Sequence, residues 1–329
     1  VLDALDAVGW RGDGRLTALN SYENRVFQVM LEDGEPVVAK FYRPRRWTDE
    51  QLAEEHAFSL EAAAFGVPVV APLAFPRQPP GPLVRPCPAA PETLAVLASD
   101  GAEWRFAVWP RRAGRPANLE DAAVLEHLGL TLGRLHQVGE RAAFRHRPAL
   151  WPLPMAQEAV QALAQLDVLP LDQHAAWQAA TQEALSAIAR DTQGPRPAAL
   201  RLHGDVHPGN LLWRQDQPNL VDLDDAGQGP AVQDLWMLLS GDADEASLQL
   251  QALLRGYQRV RAFDHDALRW IGALRLARML RHNAWVARRW GDPAFPAAYP
   301  DFGSSGYWAQ QAVQLREQIR QNADETPWR

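Results

Sequence analysis

The sequence predicts an α+β protein of two lobes, a small β-rich N-terminal lobe with one key helix and a large, mainly α-helical C-terminal lobe. Three observations carry this. Strand-like alternation dominates the first hundred or so residues, around one stretch of helical period. Apolar stripes at helical spacing dominate the remainder. One polar, turn-rich island with strand signals, near residues 200–226, interrupts those helices. The expected division is 1–109 and 110–329, where a strand leaves the small lobe.

Each element has a local reason. Residues 25–31 alternate, Glu32-Asp33-Gly34 is a turn signal, and residues 36–42 return, so the pair is a hairpin. Thr48 and Gln51 fit a capping box opening a helix. That helix runs through Glu54, Glu55 and Leu60 and stops near Gly66, with Pro68 beyond. The Pro-rich stretch 76–91 reads as loop or linker, and 104–109 as a strand. Leu125, Leu128, Leu132 and Leu135 form one helical stripe; Trp177, Thr181, Leu185 and Ile188 form another. Long helices are expected over 246–260 and 266–290. Within the island, 200–203 is a strand, 204–209 a loop, and 211–213 with 220–223 a second hairpin around 215–218.

Composition narrows the function classes. The 329 residues are 47% hydrophobic and include 13 Trp, which excludes disorder as the main state. The longest uncharged apolar run, 62–75, is broken by Gly66, Pro68 and Pro72 and falls short of the roughly 20 residues of a membrane span. Acids stand near the start, where a signal peptide carries Lys or Arg. Cys87 is the sole cysteine, so a reducing compartment, the cytoplasm, is expected. A net charge of −7 argues against a dedicated nucleic-acid binder but not against a local phosphate site. The basic clusters Arg43-Pro-Arg45-Arg46 and Arg288-Arg289 read as a solvated face near a tryptophan. Trp177, Trp236, Trp270 and Trp285 read as core.

The island carries the chemistry. It reads His203-Gly-Asp205-Val-His207-Pro-Gly-Asn210, then Val221-Asp222-Leu-Asp224-Asp225. Mg²⁺ takes hard oxygen ligands, one or two carboxylates plus phosphate oxygens and water. Asn210 and Asp222 suit such a site, with Asp205 beside it as a base. The spacing matches phosphoryl-transfer loops of the form H-x-D-x-x-x-x-N, followed by a metal-binding Asp on the next hairpin. An isolated Asp-x-x-x-x-Asn is equally a capped turn; the framing His, the glycines and the later Asp favour catalysis. Asp222 and Asp224 would share one face of a strand, so geometry does not choose between them. His203 and His207 are four apart, but Gly204, Pro208 and Gly209 deny the helix that a zinc pair needs. His203 is expected to orient the loop backbone, and the role of His207 is open.

The small lobe supplies the other half. Val37-Val-Ala-Lys40 resembles the V-A-I-K strand of kinases. Lys40 would reach the α/β-phosphates of ATP and a helix glutamate would hold it, Glu55 first and Glu54 second. Neither G-x-G-x-x-G nor G-x-x-x-x-G-K-[ST] is present. The turn Asn20-Ser-Tyr-Glu-Asn-Arg25 precedes the hairpin instead. Its amides, the Ser21 hydroxyl and the Asn24 amide are donors for phosphate, or equally for a capped turn.

The motif HGDxHxGN resembles the catalytic loop of aminoglycoside-phosphotransferase-type kinases, which share the bilobal protein-kinase-like fold. Segments 19–26, 40–44, 46–48, 200–205, 221–226, 229–239 and 288–296 further resemble bacterial stress-response Ser/Thr protein kinases within that superfamily. The likeness runs from about residue 16 to residue 308 and is weakest near 76–91. It implies Asp205 as proton acceptor, Asn210 and Asp222 as Mg²⁺ ligands, Asp222 ahead of Asp224, and Ser21 in the ATP site. It also implies Asp234 as a structural brace of the catalytic loop. The implied partners are ATP and a protein with a Ser or Thr acceptor, the chain itself included. Neither a nucleic acid nor a membrane is expected, and the chain is expected to be a monomer.

The alternative is a small-molecule kinase of the same fold, acting on an aminoglycoside, choline or homoserine-like alcohol. The loop alone favours it. Against a cationic acceptor, residues 141–173 hold Arg141, Arg145, His146 and Arg147 but only Glu158, Asp167 and Asp172 as acids. A metallophosphoesterase, suggested by Gly204-Asp-Val-His207, needs an early D-x-H and a later G-N-H-[DE] and is set aside. A catalytically dead module is disfavoured because Lys40, Asp205, Asn210 and Asp222 are all present.

Overall fold

The computed structural model describes residues 1–79, 81, 83–99 and 101–324. Its N-terminal lobe is one antiparallel sheet of β1 (Gly12–Leu19), β2 (Arg25–Leu31), β3 (Pro36–Phe41), β4 (Val84–Pro86), β5 (Ala95–Ser99) and β6 (Ala102–Pro110). The spatial order is β1-β2-β3-β6-β5-β4. The expected hairpin is β2–β3, with Val26 opposite Lys40 and Gly34 in its turn at φ 89°. Strand alternation divides the sheet. Val29, Leu31, Val37, Ala39, Phe41, Phe106 and Val108 pack beneath the short helix α1 (Leu2–Ala7), while Val26, Val38 and Lys40 face the space between the lobes.

Two readings of this lobe are corrected. The stretch 76–91 is not all loop, because β4 forms within it at the sheet edge, where Pro86 removes no ladder bond. β1 has no counterpart among the expected elements; it is an edge strand exposed along nearly its whole length, so it lacks the half-buried alternation that marks a strand.

Helix α2 (Asp49–Ala64) begins at the expected capping box, with both Thr48–Gln51 bonds made. It ends as Val67 N–H donates to Ala62 O and Gly66 N–H to Ala63 O, with Gly66 at φ 77°. This pair of bonds is the Schellman arrangement that glycine permits.

The C-terminal lobe contains α3 (Ala122–Gly139), α4 (Pro152–Leu166), α5 (His174–Asp191), α6 (Ala243–Tyr257), α7 (Ile271–Arg288), α8 (Ala294–Ala298) and α9 (Ser305–Asp324). The predicted leucine stripe of α3 is buried and packs on α6. A second core lies between α4, α5, α7 and α9, around Trp177 and Trp308. Helix α6 starts three residues before the expected position, because Asp242 and Glu245 form a capping box. The expected 266–290 helix is a 3₁₀ segment, His265–Trp270, followed by α7. Among the described residues, no helix is long and apolar enough to cross a membrane.

The island adds four short strands to this lobe: β7 (Ala199–Leu202), β8 (Leu211–Arg214), β9 (Gln217–Leu220) and β10 (Gly227–Pro230). β7 pairs with β10 and β8 with β9. The second hairpin is tighter than expected. It turns on Gln215 and Asp216, at φ 51° and 57°, the left-handed pair of a two-residue turn. β9 therefore ends at Leu220, and Asp222 lies beyond the strand.

Helices α3 and α6 approach so closely that a Cβ on Gly129 would overlap the carbonyl oxygen of Leu253, and one on Gly256 that of Glu126. Helix propensity alone makes Gly→Ala favourable by about 1 kcal/mol. Here overpacking outweighs it, so Gly129→Ala should lose roughly 1–3 kcal/mol. Urea unfolding checks this, and a stabilised variant would contradict the close approach.

Candidate active site

The two lobes enclose a cleft of about 830 Å³. Ser21, Val26, Val38 and Lys40 line it from the sheet side, and Asp205, Asn210 and Asp222 from the C-terminal lobe. Elements some 180 residues apart in the chain thus meet around one ammonium group.

Lys40 sits on the central strand β3, only 7% exposed. Its Nζ lies 2.7 Å from Asp222 Oδ1 and 3.2 Å from Asp224 Oδ1. Burial alone would lower the Lys40 pKa; Asp222, Asp224 and Glu55 outweigh it and hold the ammonium above its ordinary range. Glu55 is buried on α2 and lines the cleft, but Lys40 makes its ion pairs with the two aspartates. Burial pushes the Glu55 carboxyl up to about 7, against the pull of Lys40. Glu54 faces elsewhere: its carboxylate accepts from the N–H groups of Arg145, His146 and Arg147 at 2.7–2.9 Å. Behind Lys40, the Tyr42 hydroxyl is 2.9 Å from His56 Nε2, and His56 Nδ1 is 2.8 Å from the Thr93 hydroxyl. Burial, with Lys40 nearby, pushes His56 down to about 3, so this support is neutral.

Asp222 and Asp224 do not share a strand face. Asp222 takes a left-handed conformation, φ 61° and ψ 66°, and Leu223–Asp225 is a 3₁₀ turn. Both carboxylates nevertheless reach Lys40, and they differ in burial. The Asp222 side chain is 51% exposed and the Asp224 side chain 4%. Asp224 is spent inward: Asn24 Nδ2 donates to it at 3.0 Å and Arg46 pairs with it. Burial raises the Asp224 carboxyl, but Lys40, Arg46 and Asn24 outweigh that and hold it below its ordinary range. Asp222 keeps an open side toward the cleft.

The loop between β7 and β8 is fixed from below by Asp234, which is fully buried. Its carboxylate accepts from His203 N–H at 2.9 Å and Gly204 N–H at 2.8 Å, and lies 3.1 Å from His136 Nε2. Gly204 sits at φ 84°, where a Cβ would overlap the Asp225 carbonyl. His203 Nε2 reaches the Val221 carbonyl at 2.9 Å and so ties the loop to the Asp222 segment. Asn210 Nδ2 donates to the Asp205 carbonyl at 2.9 Å, which leaves Oδ1 as the atom available to a ligand. With Asp222, it offers the oxygen donors that a divalent cation bound beside phosphate takes. His207 Nδ1 accepts from Gly209 N–H at 3.0 Å, so the neutral ring carries its proton on Nε2, 3.5 Å from Asp205 Oδ2. Arg278 of α7 donates to Asp205 Oδ1 at 2.7 Å.

The turn at residues 20–25 caps itself: Asn24 N–H donates to Ser21 Oγ at 3.1 Å. Ser21 lines the cleft. The Asn24 side chain turns inward, giving its amide to Asp224 and accepting from Arg43 N–H at 3.0 Å.

The reading of the basic clusters as a solvated face fails for Arg43, Arg46 and Arg289. Arg46 pairs with Asp224, and with Asp225 at 2.9 Å. Arg289 meets Glu23 at 2.7 Å, and Arg43 meets Asp292 at 2.8 Å and Glu23 at 3.3 Å. All but the Arg43–Glu23 pair fasten the small lobe to the large one. Trp285 is likewise not core: it lines the cleft and its Nε1 donates to Glu23 Oε2 at 2.6 Å. Trp177, Trp236 and Trp270 are buried as expected. The signal for this network is two arginine clusters in a chain of net negative charge, with their acid partners, Glu23 and the 222–225 segment, distant in sequence. It names the partners only once the fold is known.

This arrangement, a lysine on a central small-lobe strand facing an HGDxHxGN loop and a following Asp, defines a kinase-like phosphotransferase. The profile of the phosphotransferase enzyme family (APH) matches residues 15–271, and the chain belongs to that family. It is 42% identical to "Stress response kinase A" of Salmonella choleraesuis (strain SC-B67) over 97% of this chain and 92% of the relative. It is equally identical, over the same shares, to "Serine/threonine protein kinase RdoA" of Salmonella typhimurium (strain LT2). Among solved structures, amicoumacin kinase hAmiN in complex with AMP-PNP, Ca²⁺ and Ami has the same fold. The TM-score is 0.68 at 17% identity, covering 96% of this chain and 90% of that one.

The Glu55 environment gives a pH-dependent stability. A carboxyl held near 7 when folded, against an ordinary 4.5, takes up a proton on folding between those values. Its contribution is complete below about 4.5 and is lost as pH rises through about 7. Glu55→Gln removes this loss. Relative to the parent protein, the variant should gain roughly 1–3 kcal/mol between pH 5 and pH 8. Urea midpoints at the two pH values test it, and a constant difference would mean that Glu55 is already ionised at pH 5.

Proposed function

We propose that the protein is an ATP-dependent protein Ser/Thr kinase that uses Mg²⁺ and acts in the cytoplasm as a monomer, its small lobe being 1–109 and its large lobe 110–329. The observation that carries this reading is the meeting of Lys40, Asp222, Asn210 and Asp205 at one cleft. Extensive identity with relatives whose names specify a stress-response and a Ser/Thr protein kinase supports the acceptor class. A small-molecule kinase is the second reading, favoured by the structural neighbour, an amicoumacin kinase.

Phosphoryl transfer asks the protein mainly to position groups and to stabilise charge. Ser21 and the backbone of its turn cover the phosphates. Lys40 contacts the α/β-phosphates, and the buried Glu55 stands behind it, where its carboxylate would share the Lys40 charge. Asp222 and Asn210 Oδ1 would hold Mg²⁺, which would screen the charge on the phosphates. Asn24 and Asp224 act from behind by fixing the turn and Lys40. Asp205 orients the acceptor hydroxyl and takes its proton as the bond to phosphorus forms. His203 and Asp234 hold the loop in register with Asp222.

Asp205→Ala is expected to lose at least ~10²-fold in turnover, the lower end of general-base effects, while calorimetry still detects ATP binding. Labelled ATP with Mg²⁺, offered in parallel to a generic protein and to a panel of aminoglycosides, choline and homoserine, separates the two readings. Asp205-dependent phosphoserine or phosphothreonine supports the first. Turnover of one small alcohol with no phosphoprotein selects the second.

A further inference from the structure

We propose that Arg278 and Arg281 of α7 select an acceptor whose hydroxyl is flanked by carboxylates, and that such an acceptor releases Asp205 by drawing Arg278 away from it. This rests on the reading of the protein as a Ser/Thr protein kinase and specifies the substrate class.

The two arginines are three residues apart, hence neighbours on one helical face, and both line the cleft together with Trp285 of the next turn. Arg278 is engaged with Asp205 at 2.7 Å, yet its side chain is 48% exposed. Arg281 is exposed; its hydrogen-bond contact is the Met155 Sδ at 3.4 Å, and no carboxylate pairs with it among the described residues. The other acids at the mouth of the cleft are already matched, and Glu55 is buried behind Lys40. Asp222 faces Lys40, Asp225 faces Arg46, and Glu23 faces Arg289. The charge left over on the α7 wall is therefore positive and planar, the form that binds carboxylates in a fork.

The same geometry burdens the base. Asp205 Oδ1 is occupied by Arg278, and Oδ2 faces His207 Nε2 at 3.5 Å. A hydroxyl must come within about 2.6–3.2 Å of this carboxylate to pass its proton, and the Arg278 guanidinium stands in that space. The Arg278 side chain is half exposed, and a carboxylate on the acceptor replaces the one it gives up, so Arg278 can exchange Asp205 for it at modest net cost. Acidic flanks would thus lower KM by binding and raise kcat by freeing the base. A neutral flank does neither.

The test uses the full chain and three serine peptides on one scaffold, flanked by Asp/Glu, by Ala or by Lys. The parent enzyme should favour the acidic peptide over the basic one by at least ~10-fold in kcat/KM, and the ratio should shrink as salt screens the charges. Arg281→Glu should shift preference toward the lysine peptide. Arg278→Ala should raise KM for the acidic peptide and raise kcat on the alanine peptide, a split that a merely structural role would not give. Arg281→Gln serves as the milder variant if charge reversal unfolds the protein, and it should weaken the acidic preference. Equal kcat/KM on all three peptides, or an acidic preference left undiminished by either Arg281 variant, overturns the inference and leaves the kinase reading standing. Turnover of a small alcohol with no peptide phosphorylated overturns both.

Discussion

The carboxylate of Asp224 is the most deeply buried of the charges that join the two lobes. It lies almost wholly out of solvent, between Lys40 of the central strand, Arg46 of the segment before α2, and the Asn24 amide of the turn before β2. Its backbone carbonyl accepts from Arg147 Nη2 at 2.5 Å. A buried charge is tolerable only when it is paired and hydrogen-bonded on several sides. Here the partners come from three small-lobe segments and from the stretch before α4. The small lobe cannot take another position without leaving that charge unmatched, so one carboxylate sets the spacing of the cleft.

The functional side chains inherit their positions from this join. Asp222 is two residues away and its left-handed backbone turns its carboxylate outward, so that one short segment presents a buried anion to the lobe interface and an open one to the cleft. The loop of residues 203–210 is held independently by Asp234, and His203 links the two through the Val221 carbonyl. Rigid support of this kind is what phosphoryl transfer requires, since its catalysis is largely placement of charge.

Much of this was legible in the chain. The β2–β3 hairpin, the capping box at Thr48 and the leucine stripe of α3 are local signals, and the structure contains each of them. The motif residues were also legible, because their spacing along one loop is a property of sequence. What was not legible depends on long-range contact. The exposed edge strand β1 carries no burial pattern. The end of β9 at Leu220 is set by a turn whose two left-handed residues, Gln215 and Asp216, are not glycine or asparagine. Arg46 and Arg289 read as surface charge because their acid partners lie far away in sequence. Arg278 sits in a helix with no motif around it, and only the packing of α7 against the catalytic loop brings it to Asp205.

Glu23 belongs to the turn that lines the cleft before β2, yet Arg289 and Trp285 hold it against the large lobe. A glycine-rich flap, as protein kinases have, can lift by itself. This turn is instead moored at its tip to the helix that also carries Arg278. Lifting the turn away from the large lobe requires that the Glu23 contacts break or that α7 moves with it, so the turn and the α7 wall are mechanically coupled.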